Sequence, residues 1–239
     1  MIQMIKNLVV FSYYFIYVDL FLAIFTIVGF DFYALDATTR VAIWLAIDAL
    51  FMVFLYILYR KDIKTDFKDY KKNYKSYFKY VNVYLIGVIL MGLTNLLIQK
   101  LTGSGLSGNE QSIRALLPKY PIYITFGAII FAPFVEEMIF RKIIKNIVSN
   151  KYAFYFTKMF KKDTKKLTTY AFIIISGLVF GLIHISSFRD TNQILLGIPY
   201  MIMGLDFAYI YHKTNNIFTT MVFHAIHNTI LLLIQFIFY

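Results

Sequence analysis

FVEEMIFR, residues 134–141, sets two adjacent glutamates and an arginine among Phe, Val, Met and Ile, in one of the most apolar parts of a very apolar chain. An ionisable side chain in a bilayer costs at least about 2.5 kcal/mol on insertion scales, so three of them together need partners or a function. The helical period offers one partner. Glu137 and Arg141 are four apart with the acid on the N-terminal side, the favourable order for a pair. Glu136 lies about 100° around the helix from its neighbour. One glutamate is thereby neutralised and the other is left to point elsewhere. Pro133 lacks an N–H, so it frees a carbonyl and predicts a kink close to the charges. A plainer reading stands beside this one, in which Arg141 and Lys142 mark the membrane edge and Glu136 sits near it.

The surrounding chain makes the membrane setting firm. Its 239 residues are 59% hydrophobic and 15% charged, with a mean hydropathy of +0.65, whereas soluble domains run near half apolar and about a quarter charged. Apolar runs at roughly 8–29, 41–59, 81–99, 121–140, 169–188, 193–211 and 217–238 are long enough to cross a hydrocarbon core of about 30 Å as helices. The fold class is therefore all-α, a polytopic transmembrane bundle of about seven spans. The first run exceeds a signal-peptide core and lacks a small-x-small cleavage site, so it is expected to remain as the first span. No repeat, low-complexity tract or Pro/Gly linker divides the chain, which reads as one integral membrane domain, 1–239. With no cysteine, disulfide, thiol and Cys-metal chemistry are unavailable.

The net charge of +11 reads as topology, with no nucleic-acid partner implied. Lysines gather in the segments 60–80 and 141–167, and Lys213 lies in a short HKTNN turn; seven spans put all three on one side. The intervening segments 31–40, 100–119 and 188–192 have a lower cationic excess. The positive-inside rule then predicts a cytoplasmic N-terminus and an external C-terminus.

The ionisable residues within the spans are few: Asp19, Asp48, Glu136, Glu137, Arg141, His184, Asp206, His224 and His227, with Asn95, Asn228 and Gln235 as neutral company. In FGLIH (180–184), Phe180 and His184 share a helix face; in FHAIHN (223–228), His224 and Asn228 do so, with His227 one turn from His224. Singly, His184 reads more readily as packing than as chemistry, whereas two histidines on one span, His224 and His227, are harder to dismiss. Together the three patches supply what peptide hydrolysis needs: a base for water and donors for a tetrahedral oxyanion. A carboxylate and two imidazoles also suit a catalytic zinc, although HExxH is absent. Ser176, Ser186 and Ser187 lie near His184 in sequence, but none sits in GxSxG.

EExxxR (Glu136, Glu137, Arg141), FxxxH (Phe180, His184) and HxxxN (His224, Asn228), in that order on late helices, resemble the CPBP family, the CAAX proteases and bacteriocin-processing enzymes also called Abi. The resemblance covers roughly residues 120–235 and divides the domain into N-terminal spans (1–119) and CPBP-like catalytic helices (120–239). It implies an intramembrane endopeptidase acting on a membrane-associated peptide or protein in the lipid bilayer. By that likeness Glu136 activates water, His184 helps hold it, and His224 and Asn228 stabilise the oxyanion, while Glu137, Arg141 and Phe180 support them. It leaves two cofactor states open: Zn2+ or another divalent metal on Glu136, His184 and His224, or no metal. The Lys, Asn, Ile, Tyr and Phe content suggests an AT-rich genome, so the implied roles are pheromone or bacteriocin processing or self-immunity. Two other classes stand as alternatives: a non-catalytic CPBP-like immunity or scaffold protein, and a proton or ion transporter using Asp19, Asp48, Asp206 and the glutamates as a relay. His227 fits no motif position and reads as packing or support. His212 is expected in a solvated loop.

The spans put Glu136, His184 and His224 at unequal depths. Convergence requires either that the fourth helix run to about residue 148 or that the fifth begin later than 169.

Overall fold

The computed structural model describes residues 2–103, 105–149 and 165–238, and every regular element among them is helical. In chain order these are α1 (Ile2–Ile27), α2 (Ala37–Tyr77), α3 (Val81–Thr102), α4 (Gly108–Leu116), α5 (Pro121–Ser149), α6 (Lys165–Leu182), α7 (Thr191–Thr214) and α8 (Ile217–Phe238). The protein is an all-α, multi-pass membrane bundle. Its apolar helices count as five to seven spans, according to whether α2 and α3 are separated at the turn Phe78–Tyr80 and whether the shorter α6 is included.

Local chemistry explains where these helices begin and end. The Asp36 carboxylate accepts from the Thr39 N–H and caps α2. Gly103 closes α3 in the left-handed region, at φ +69°, where a side chain would be strained.

The 60–80 segment, expected as a loop, instead continues α2 to Tyr77 beyond a kink at Tyr59. It contains no Gly or Pro and is rich in Lys, so it keeps helical propensity where lipid hydropathy has ended. It docks across the bundle end: Phe67 and Tyr70 pack on Phe218, Asp66 pairs with Lys142 at 2.8 Å, and Asn216 bonds Asp69 at 2.8 Å. Lys145 bonds Asn215, and Lys6 near the N-terminus donates to the Leu58 carbonyl. The lysine-rich segments therefore meet at one end of the molecule. Other boundaries also move. Segment 100–119 contains α4, α6 stops at Leu182 instead of 188, and His212 belongs to the last turn of α7 and is half-buried. Within the expected loop 141–167, α5 persists through Ser149, while 150–164 lie outside the described residues.

α6 and α7 approach through small residues. A Cβ on Gly181 would stand 2.0 Å from the Met201 side chain and 2.9 Å from the Gly197 carbonyl, and one on Gly204 would stand 2.9 Å from Gly177 Cα. Gly177-xxx-Gly181 is thus a close-packing face, the arrangement that lets helix backbones meet where the hydrophobic effect gives no help. It fixes the end of α6, from which His184 projects.

Candidate active site

α5 departs from regular α-helix on both sides of its glutamates. π-helical turns at Gly127–Phe131 and Met138–Ile143 flank the α-helical Ala132–Glu137. In the first, the Ala132 N–H reaches back five residues to the Gly127 carbonyl. The same register would give the Ala128 carbonyl to residue 133, a proline with no N–H. Asn228 Nδ2 donates to that carbonyl at 2.8 Å. The kink expected from Pro133 thus takes the form of a π-bulge, and the group it frees anchors α8 to α5.

The expected Glu137–Arg141 pair forms and is fully buried. Arg141 Nε donates to Glu137 Oε2 at 3.0 Å and Nη2 to Oε1 at 3.4 Å, while Nη1 donates to Ser176 Oγ at 2.8 Å. The Ser176 hydroxyl in turn donates to the Phe140 carbonyl at 2.7 Å. The guanidinium lies over the Phe180 ring at 4.8 Å and the Phe207 ring at 5.8 Å. His224 completes the carboxylate's shell, with Nδ1 at 3.0 Å from Glu137 Oε1. Such a network satisfies each charge several times, which is what a buried ion pair needs. Arg141 therefore does not mark the membrane edge; Lys142, paired with Asp66, lies at the bundle end.

Glu136 differs. Its Oε2 is buried without a hydrogen-bond partner among the described residues and stands 3.9 Å from His224 Nε2. Since a carboxylate only accepts, His224 donates through Nδ1 to Glu137, and the nitrogen facing Glu136 is Nε2. Two groups 3.9 Å apart can share one water placed off their axis at about 2.8 Å from each.

His184 lies two residues beyond the end of α6, in a turn. Its Nδ1 donates to the Phe180 carbonyl at 2.7 Å and its ring stacks on Tyr200 at 4.1 Å. The Phe180 ring stands between the histidines, 4.8 Å from His184 and 6.0 Å from His224. The depths come together when measured from the Asp66 anchor shared by Lys142 and Asn216. Glu136 is six residues along α5 from Lys142 and His224 eight along α8 from Asn216, rises of roughly 9 and 12 Å. For Glu136 and His224 the long fourth helix is therefore the boundary that resolves the mismatch, and the fifth is helical from Lys165, earlier than 169.

Residues 118–230 match the family model described as "Type II CAAX prenyl endopeptidase Rce1-like". Over 129 residues the chain is 30% identical to a Bacillus subtilis protein described as "Putative membrane peptidase YdiL", covering 54% of this chain and 43% of that relative. The C-terminal half of the chain is thus similar to the CAAX-type proteases of the CPBP family. No solved structure matches it. The match spans less than half the length of the curated relative. At the level of the family, the likeness is to CAAX-type intramembrane proteases.

Within residues 118–230, the sequence reading weighed Ser176 only as a nucleophile and missed its bond to Arg141, although Ser176, Phe180 and His184 recur every fourth residue and so share a face. It also missed Phe207 and Tyr200, which look like ordinary aromatic packing until the structure sets them against Arg141 and His184. His227 turns to α3, where its Nδ1 is 3.4 Å from the Tyr84 hydroxyl. Of the remaining acids, Asp19 is exposed, Asp48 accepts from Tyr17 at 3.0 Å, and Asp206 abuts Gly87 with its Oδ2 buried and unpaired. Among the described residues no three His, Asp or Glu side chains assemble as a metal-ligating group, and Glu136, His184 and His224 are not drawn together as one.

Proposed function

We propose that the chain is an intramembrane endopeptidase whose base is Glu136. The observation that carries this reading is the contrast within the pair: Glu137 is saturated by Arg141 and His224, whereas Glu136 Oε2 is buried, unpaired and turned toward His224 Nε2. In the proposed reaction Glu136 removes a proton from water as the water oxygen bonds to the scissile carbonyl carbon. The carbonyl oxygen takes the negative charge. The Asn228 amide has two N–H groups, one already given to Ala128, and the other supplies a donor for that oxyanion. As the C–N bond breaks, the proton held by Glu136 passes to the leaving nitrogen, directly or across His224 Nε2.

The substrate is a membrane-associated peptide or protein, as the setting of the base in a bilayer requires. By the positive-inside rule the lysine-rich end faces the cytoplasm, with the N-terminus inside and the C-terminus outside. Zinc is a second reading of the cofactor state, favoured by one observation. Both motif histidines engage Nδ1, on Phe180 and on Glu137, and this leaves Nε2 as the ligating nitrogen, the usual orientation of metal-bound imidazole. The arrangement supports no step through the metal, because the three candidate ligands do not form a group.

The test compares membranes from cells expressing wild type or Glu136→Gln, sequencing the peptide termini that appear and measuring metal in each purified protein. Termini present only with wild type are expected; identical termini in both would remove Glu136 as the base. Stoichiometric zinc lost in His184→Ala and His224→Ala would replace the metal-free mechanism.

A further inference from the structure

We propose that Tyr200 is a positioning residue for His184 and that Ser107, at the start of α4, holds it in place. This rests on the reading of His184 as part of the catalytic set. Because α6 ends at Leu182, the His184 backbone is held only by a turn, its N–H donating to the Gly181 carbonyl at 3.1 Å. A side chain on such a turn needs outside restraint if its reactive nitrogen is to stay within about 0.5 Å of a working geometry. The Phe180 carbonyl fixes Nδ1, and the Tyr200 ring fixes the imidazole plane at 4.1 Å with an interplanar angle of 14°. Phe180, at 4.8 Å and tilted by 42°, gives a looser second wall.

Tyr200 is itself tethered from outside the family module. Its hydroxyl is 2.8 Å from Ser107 Oγ, and Ser107 is the buried N-cap of α4, accepting from the Glu110 N–H at 3.2 Å. One oxygen closes the strap on its far side: Gln193 Oε1 accepts from the Gly108 N–H at 2.9 Å and from Ser186 Oγ at 2.8 Å. The approach is tight, since a Cβ on Gly108 would lie 2.4 Å from Ser186. The segment before α4 thus clamps both Tyr200 and the residues just after His184, and couples the N-terminal half to the reactive imidazole.

The chain has only four histidines, so the protein labelled with 13C,15N-histidine in micelles gives a short list of ring signals, with His184 assigned by its loss in His184→Gln. Stacking on Tyr200 predicts upfield-shifted His184 ring protons. The shift is expected to vanish in Tyr200→Leu and to shrink to a similar degree in Tyr200→Phe and Ser107→Ala, which keep the ring but each remove the tether, while His212 stays unmoved as the internal control. Unchanged His184 signals in Tyr200→Leu would overturn the positioning role. If Tyr200→Leu fails to fold, Ser107→Ala decides, and an unmoved His184 there overturns the strap. In a processing assay, Tyr200→Leu should lower kcat by up to about 10²-fold with little change in KM, and Tyr200→Phe should restore most of it. The ring signals need no substrate, so intact stacking in a protein without activity would count against the peptidase reading alone.

Discussion

α1 and α7 are both long and apolar, yet 11% of the most apolar window of α1 is buried inside the bundle against 56% for α7. The first is a wall turned to lipid, the second a central post. Each half of the molecule buries an acid, and the same contrast appears there. Asp48, near α1, accepts one side-chain hydrogen bond among the described residues, from Tyr17. Glu137 is held by Arg141 and His224, and Arg141 in turn by Ser176 and two aromatic rings. A polar group added to a wall needs one partner, whereas the C-terminal half shares its charges among several helices. Damage in the second should therefore spread further.

The strongest test of that difference is Arg141→Leu. It strands Glu137 as a buried anion and takes a partner from Ser176, so it should cost about 3–5 kcal/mol in denaturant unfolding from mixed micelles. Arg141→Lys should recover only part, because an ammonium cannot span both carboxylate oxygens and Ser176. A loss no larger than that of a single hydrogen bond would erase the contrast between the halves.

Packing gives the next largest effect. Gly181→Val drives a branched side chain into Met201 and the Gly197 carbonyl, and overpacking of this kind costs about 1–3 kcal/mol. Gly92 on α3 has nothing within 4 Å of where a Cβ would lie, so Gly92→Ala should be neutral or gain up to about 1 kcal/mol from helix entropy. The pair of measurements separates the wall from the post by one glycine replacement in each. Equal melting for both would show that the α6–α7 approach yields easily.

These contrasts also explain what could be read in the chain beforehand. The apolar helices and the Glu137–Arg141 pair were legible because each rests on local period or on the cost of charge in lipid. The length of α2 was not, since hydropathy measures only transfer to lipid and is silent on a lysine-rich helix that leaves it. Depth failed for a related reason. Hydropathy edges give each helix its own ruler, whereas Asp66 ties α5 and α8 to a common one. The Asn228–Ala128 bond needed the π register, which no side-chain pattern announces. Ser107 and Tyr200 are 93 residues apart, and nothing in either neighbourhood points to the other.

The smallest expected effect comes from the wall. Tyr17→Phe removes the one donor to Asp48 but keeps the ring, which stacks on Phe51 at 4.5 Å. Leaving the acceptor unpaired should cost about 1–2 kcal/mol, the lower value following from the weak hydrogen bonds measured between membrane helices. Adding Asp48→Leu removes the orphaned acceptor, and the double variant should return to within about 1 kcal/mol of wild type, because deleting both partners is far cheaper than deleting one. No such recovery is available at Glu137, where His224 and Arg141 would each lose a partner. The double variant also probes function. Tyr14 bridges the two halves by packing on Phe51 of α2 and edge-on against Phe140 of α5, so a folded Tyr17→Phe, Asp48→Leu protein that no longer processes peptides would make the N-terminal acid part of the site. Retained processing would leave Asp48 as a structural acid, and the chemistry to the helices from α5 onward.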